Sequence, residues 1–227
     1  MALDLPGYGG RPAVEVLSFE ELAQDVEGAI ERAKLARPVL VGHSLGGMIV
    51  QTMLRRRPKG YRAAVLSGTS PAFGDPSGEF QKKFLADRLR PLESGKTMPE
   101  LAAEIVDPLM GPAPDPSGRA LAIECMGAVP ISTYRACVEC LIDFDERGNL
   151  ARIEVPVLCL AAEHDRNAPA AMMERMAAKI PGARYVCLRG VGHLANVEAP
   201  RAFDSAIFDF LREAVPGAEA AGERRHA

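Results

Sequence analysis

The pentapeptide Gly42-His43-Ser44-Leu45-Gly46 fits G-x-S-x-G. This spacing makes physical sense where a strand turns sharply into a helix and lifts a serine hydroxyl clear of a sheet. A serine hydroxyl is a poor nucleophile until a base takes its proton and a carboxylate holds that base in the right tautomer. The chain has four histidines. His226 lies close to the C-terminus, His43 fills the variable slot beside Ser44 and suits local packing, and His164 adjoins Asp165 on an extended segment that turns its side chain away. His193 is the histidine left to serve as base, and Asp165 is the carboxylate to orient it. Ser44, Asp165 and His193 each follow an apolar run, in the chain order Ser, Asp, His that accompanies this kind of elbow. The chemistry they suit is acyl transfer: attack on an ester or lactone carbonyl through an acyl-enzyme, with the Leu45 N–H at a helix N-terminus stabilising the oxyanion. Taken singly, each has a plainer reading: Ser44 as a small turn residue, Asp165 as the cap of the next helix, His193 as a loop histidine.

The elements that must position these residues can be read from spacing. Ser18-Phe19-Glu20-Glu21 is a capping box, with Leu17 and Leu22 as a hydrophobic staple. Leu22, Val26, Ile30 and Ala33 continue at helical spacing, so a helix is expected over about 19–36, stopped by Pro38. Val39-Leu40-Val41 is the strand that enters the elbow. Met48, Ile49, Met53 and Leu54 continue the helix that leaves it, as far as Pro58. Ala63-Ala64-Val65-Leu66-Ser67 is a second buried strand, and strand–helix–strand implies a parallel sheet. The alternation then stops. Helical patterns around 78–90, 97–110, 116–127 and 131–144 are separated by Pro/Gly clusters, and residues 71–150 are expected to form a helical insertion, either a lid or helices packed away from any site. The sheet resumes over Val155–Ala162, followed by a helix from Pro169, a strand at Tyr185–Leu188 and a last helix carrying Phe203, Ile207, Phe210 and Leu211. The core is thus expected to comprise 1–70 and 151–214, and the Gly/Ala/Glu/Arg-rich tail, 215–227, is expected to be disordered.

Of the 227 residues, 48% are hydrophobic and 25% charged, and the net charge is -3. This suits a globular protein with a sizeable core and gives no electrostatic reason to expect nucleic acid or an anionic membrane as partner. No apolar run reaches spanning length. The N-terminus lacks a basic segment followed by an apolar one, so a cytoplasmic protein with reduced thiols is expected. Cys159 and Cys187 sit in apolar runs. Cys137 and Cys140 are spaced C-x-x-C but have no second ligand pair, which speaks against zinc. No cofactor or metal is called for.

These motifs resemble the α/β-hydrolase superfamily from Asp4 to about residue 214. The resemblance rests on Asp4-Leu5-Pro6-Gly7-Tyr8-Gly9, the Gly42–Gly47 elbow, Glu163-His164-Asp165 and Gly192-His193. Within the superfamily the chain is most similar to the 3-oxoadipate enol-lactonase-like branch, through Tyr134-Arg135-Ala136-Cys137, Asp143-Phe144-Asp145 and Leu150-Ala151-Arg152-Ile153-Glu154-Val155-Pro156. The resemblance implies a mostly parallel sheet with helices on both faces. It also implies Ser44 as nucleophile, His193 as base and then acid, Asp165 as orienter and the Leu45 N–H as oxyanion donor. Small-carboxylate enol-lactone opening is the favoured reaction, with a general ester or C–C bond hydrolysis left open. His43 and Arg135 are the expected substrate contacts. Arg88, Arg90 and Arg119 are further candidates for a substrate carboxylate, each equally readable as part of a solvated helix face.

Superfamily members ordinarily carry three strands before the Asp-Leu-Pro-Gly loop, and the loop after the third supplies a second oxyanion donor. Residue 1 stands near the end of the fourth strand. The resemblance therefore implies an N-terminally truncated chain or a misplaced translation start, with the second donor missing and one edge of the elbow strand exposed. Losing one donor costs on the order of 10²–10³ in turnover. A folded but impaired protein acting only as an interaction module is the competing expectation.

Overall fold

The computed structural model describes residues 1–13, 17–74 and 77–215. Helix α1 (Phe19–Arg32) begins with the full capping box: Ser18 Oγ accepts from the Glu21 N–H, and the Glu21 carboxylate accepts from the Ser18 N–H. Leu17 and Leu22 are both buried in one cluster. The helix stops at Arg32, earlier than expected. Lys34 takes φ 52, its N–H donates to Glu31 O, and the Leu35 N–H donates to Ile30 O. This closing motif usually uses glycine, so lysine hid it.

The strands β1 (Val39–His43), β2 (Ala63–Ser67), β3 (Val157–Ala162) and β4 (Arg184–Leu188) are all parallel and lie in the order β1-β2-β3-β4. Strands β2 and β3 are buried along their whole length, as central strands of a sheet covered on both faces must be. Alternate residues feed two cores. Ala64, Leu66, Val157, Cys159 and Ala161 pack with α1, α2 (Leu45–Arg56) and α7 (Ala170–Ala177). Ala63, Val65, Leu158, Leu160 and Ala162 face α9 (Pro200–Ala214). Among the described residues β1 is an edge strand, and Val41 is 53% exposed.

The first residues, expected to start near the end of a strand, pair with no strand among the described residues. Met1, Leu3, Val39 and Val41 instead line one groove of about 490 Å³. Val215, expected in the tail, is buried and belongs to the α9 core. The remainder of the expected tail, 216–227, lies outside the described residues.

Between β2 and β3 the chain makes a helical excursion: α3 (Glu79–Glu93), α4 (Met98–Val106), α5 (Pro116–Gly127) and α6 (Ile131–Cys140). It leaves and returns through one neck. The Phe73 N–H donates to Phe144 O and the Glu146 N–H to Pro71 O, at 3.0 and 2.8 Å. Leu89, Leu92, Met98, Leu101, Tyr134 and Val138 form its own small core. No helix among the described residues is long and apolar enough to cross a membrane.

Leu158 is fully buried in the sheet centre. Leu158→Ala is expected to cost about 2–5 kcal/mol in urea unfolding. Val41→Lys, on the half-exposed edge, is expected to change stability by less than about 0.5 kcal/mol.

Candidate active site

Ser44 sits between β1 and α2 with φ 51 and ψ -119, a region that non-glycine residues seldom occupy. Neighbours fix it there. The Ser44 N–H donates to Ser67 O at 2.9 Å, and Thr69 Oγ1 donates to Ser44 O at 2.8 Å. The turn is possible because strand and helix touch backbone to backbone: a Cβ on Gly42 would come within 2.3 Å of Gly46 O. An added Cβ on Gly46 would meet nothing, so what Gly46 contributes at this crossing is its backbone. The Leu45 N–H belongs to the first turn of α2, where leading N–H groups have no intrahelical acceptor.

Asp165 follows β3 and divides its carboxylate between two tasks. Oδ1 accepts from the Asn167 and Ala168 N–H groups, both at 2.8 Å, and so holds the loop. Oδ2 lies 2.8 Å from His193 Nδ1. The cap and the partner of histidine are therefore one residue. Burial pushes its pKa up, but the bond and charge of His193 together with the two backbone N–H bonds outweigh it, and the carboxyl sits below its ordinary range. An ionised carboxylate only accepts, so Nδ1 carries the imidazole proton and Nε2 is free to accept. His193 Nε2 lies 3.0 Å from Ser44 Oγ. His164 is turned away, half-exposed and 3.8 Å from Glu163.

His43 packs behind this relay. Its ring centroid is 4.8 Å from that of His193, and its Nδ1 is 3.5 Å from Ser67 Oγ. Its Nε2 is buried with no partner among the described residues. Burial first, and then the neighbouring His193, pull its pKa down to about 4.

A cavity of about 660 Å³ opens over Ser44, with His43 and Leu45 at its floor and residues of α4, α5 and α6 in its walls. Arg135, expected to contact substrate, does not line it. It lies 3.7 Å from Glu93 and 4.0 Å from Glu139, because these carboxylates on α3 and one turn further along α6 offer a solvated partner that an apolar wall cannot. Arg119 pairs with Asp107, Arg90 with Asp87, and Arg88 lies over the Phe84 ring. None of the three lines the cavity. Cys137 Sγ contacts the Tyr8 hydroxyl, and Cys140 Sγ donates to Cys137 O.

Two contributors have no sequence signal. Thr69 holds the elbow, as described. Glu198, in α8 (Ala195–Glu198), accepts from the Gly111 N–H at 2.6 Å and from the Gly192 N–H at 3.0 and 3.1 Å. The His193 N–H donates to Leu109 O at 2.7 Å. The loop carrying His193 is thereby tied to the helical excursion.

Residues 1–206 match the model of the alpha/beta hydrolase family, and the chain belongs to that family. It is 27% identical over 92% of its length to a biotin biosynthesis bifunctional protein BioHC of Cellvibrio japonicus, of which it spans 41%. To a putative carbamate hydrolase RutD of Pseudomonas savastanoi it is 26% identical, covering 93% of this chain and 82% of that one. Among solved structures, the enol-lactonase from Burkholderia xenovorans superposes with a TM-score of 0.81 at 27% identity, covering 92% of this chain and 79% of the other.

Two outcomes follow from the polar geometry. Glu198→Ala strands two N–H groups and is expected to cost about 1.5–3 kcal/mol in chemical unfolding. For His43 the sign is set by its depressed pKa: between about 4 and its ordinary value the unfolded chain binds the extra proton. Its contribution to stability is complete above about pH 6.5 and is lost as pH falls toward 4. Unfolding free energy measured across that window is expected to fall with pH, and less steeply in His43→Gln.

Proposed function

We propose that this hydrolase cleaves a carboxylic ester or lactone through an acyl-enzyme on Ser44. The observation that carries this reading is the continuous relay from Ser44 Oγ to His193 Nε2 and from His193 Nδ1 to Asp165 Oδ2, at 3.0 and 2.8 Å, beneath a cavity large enough for a small substrate. His193 Nε2 takes the hydroxyl proton as Oγ attacks the carbonyl carbon. Asp165 stabilises the imidazolium that forms. The Leu45 N–H, at the positive end of α2, donates to the developing oxyanion. As the tetrahedral intermediate collapses, His193 returns the proton to the leaving alkoxide. In the second half, water attacks the acyl carbon with His193 again as base, and the acid leaves with Ser44 restored. His43, neutral and buried, backs the imidazole and meets substrate at the cavity floor. The helices α3–α6 act as a lid that keeps bulk water from the acyl-enzyme. Five unpaired cysteines suit a reducing, cytoplasmic setting.

The enol-lactone case draws support from the similarity to the Burkholderia xenovorans enol-lactonase. Its substrate carboxylate would need a cation facing the cavity, and no Lys or Arg is among the residues that line it. An ester or lactone without that carboxylate is the reading the site supports best.

A fluorophosphonate probe is expected to label the protein stoichiometrically and Ser44→Ala not at all. Ser44→Ala and His193→Ala are each expected to lower kcat by about 10⁴ or more, and Asp165→Asn by about 10⁴. A well-folded protein that takes no label would instead support an interaction module without catalysis.

A further inference from the structure

The walls of the cavity fall into two flanks. Gly118 is the one fully buried residue of helix α5, Met126 packs against the excursion's core and Leu121 is half exposed. Leu121, Ala122 and Met126 also line the cavity. The α5 backbone lies against α8, since a Cβ on Gly118 would come within 2.2 Å of Val197 O. Leu121 and Val197 therefore stand on the side of His193. The other side is built from Leu45, Tyr8 and Cys137 of α6, which pack in one cluster, while Val138 of α6 lines the cavity from the excursion's own core. There the Tyr8 hydroxyl and Cys137 Sγ satisfy each other at 3.3 Å. No Asp, Glu, Lys or Arg lines either flank.

Resting on the reading of Ser44 as nucleophile, we propose that the α6 flank is the acyl subsite and takes an uncharged, unbranched hydrocarbon chain, with Val138 setting its length. The argument for the flank is mechanistic. His193 must return its proton to the leaving oxygen, so the leaving group lies on the His193 side and the acyl group on the other. The argument for the chemistry is desolvation. A chain carrying a terminal carboxylate would lose its hydration against Val138, Leu45 and a paired Tyr8–Cys137 couple, with no Lys or Arg among the residues that line the cavity to receive it. Each methylene of an alkyl chain gains instead from leaving water, by about fourfold in kcat/KM.

The test is kcat/KM on p-nitrophenyl acetate, butyrate, pentanoate and hexanoate and on the p-nitrophenyl hemi-ester of glutaric acid, with active sites counted by fluorophosphonate. The expected result is a rise of about fourfold per methylene from acetate to hexanoate, with the hemi-ester at least about a hundredfold below the pentanoate ester of equal length. Val138→Phe is expected to lower the hexanoate-to-acetate ratio at least about tenfold, while Leu121→Phe leaves that ratio within twofold. A ratio needs no correction for the folded fraction, so a less stable variant still reports. A flat chain-length profile, a hemi-ester preferred over the neutral ester, or a ratio moved by Leu121→Phe and not by Val138→Phe overturns the proposal while Ser44 still takes the label. Absence of both label and turnover removes the nucleophile reading beneath it.

Discussion

The backbone crossing at the elbow is the constraint on which the rest of the site depends. Ser44 holds a left-handed φ that costs on the order of 1–3 kcal/mol for a residue with a side chain. The sheet carries that cost. The Ser44 N–H continues the β1–β2 ladder by one residue, and Thr69, just past the end of β2, holds its carbonyl. The same crossing brings α2 so near β1 that only glycine fits at position 42. A hydroxyl raised in this way points at the ends of the strands, where the loops after β3 and β4 can reach it.

Those loops are set by polar satisfaction more than by packing. Asp165 fixes its own loop with one carboxylate oxygen and His193 with the other, so the carboxylate cannot rotate without leaving two backbone N–H groups unpaired. Its side chain is fully buried and that of His193 nearly so. In such surroundings a paired charge interacts strongly and an unpaired one is costly. This makes the orientation of the imidazole a property of the fold. His43 packs its own ring against it, and its depressed pKa keeps that ring neutral at neutral pH.

Much of this was legible in the sequence wherever a signal is local. The capping box at Ser18, the glycine spacing around Ser44 and the four strands follow from neighbours a few residues apart, and their order along the chain was enough to assemble the Ser44, Asp165 and His193 constellation. What escaped is long-range or unconventional. Lys34 ends α1 in a conformation usually given to glycine. Glu198 reaches Gly111 across 87 positions, which no spacing rule covers. The arginines of the excursion look like a substrate clamp in sequence because a helical period fixes only relative faces. Which face meets the cavity depends on how α3 to α6 pack together, and Arg135 and Arg119 turn toward carboxylates of the excursion itself.

The excursion is tied to the body of the protein at two places. The neck at Pro71–Phe73 and Phe144–Glu146 holds one end of the excursion. Leu109 and Gly111 hold another, through the His193 N–H and Glu198. Swinging α4 and α5 away from the sheet would break two hydrogen bonds, one of them to a carboxylate, at on the order of 1–3 kcal/mol each. It would also pull on the backbone of His193, the proposed base. Helix α3 makes no such bond to the histidine loop among the described residues and packs through Leu89 and Leu92 within the excursion's own core. The bonds that join the excursion to the histidine loop therefore come from the segment between α4 and α5 and not from α3.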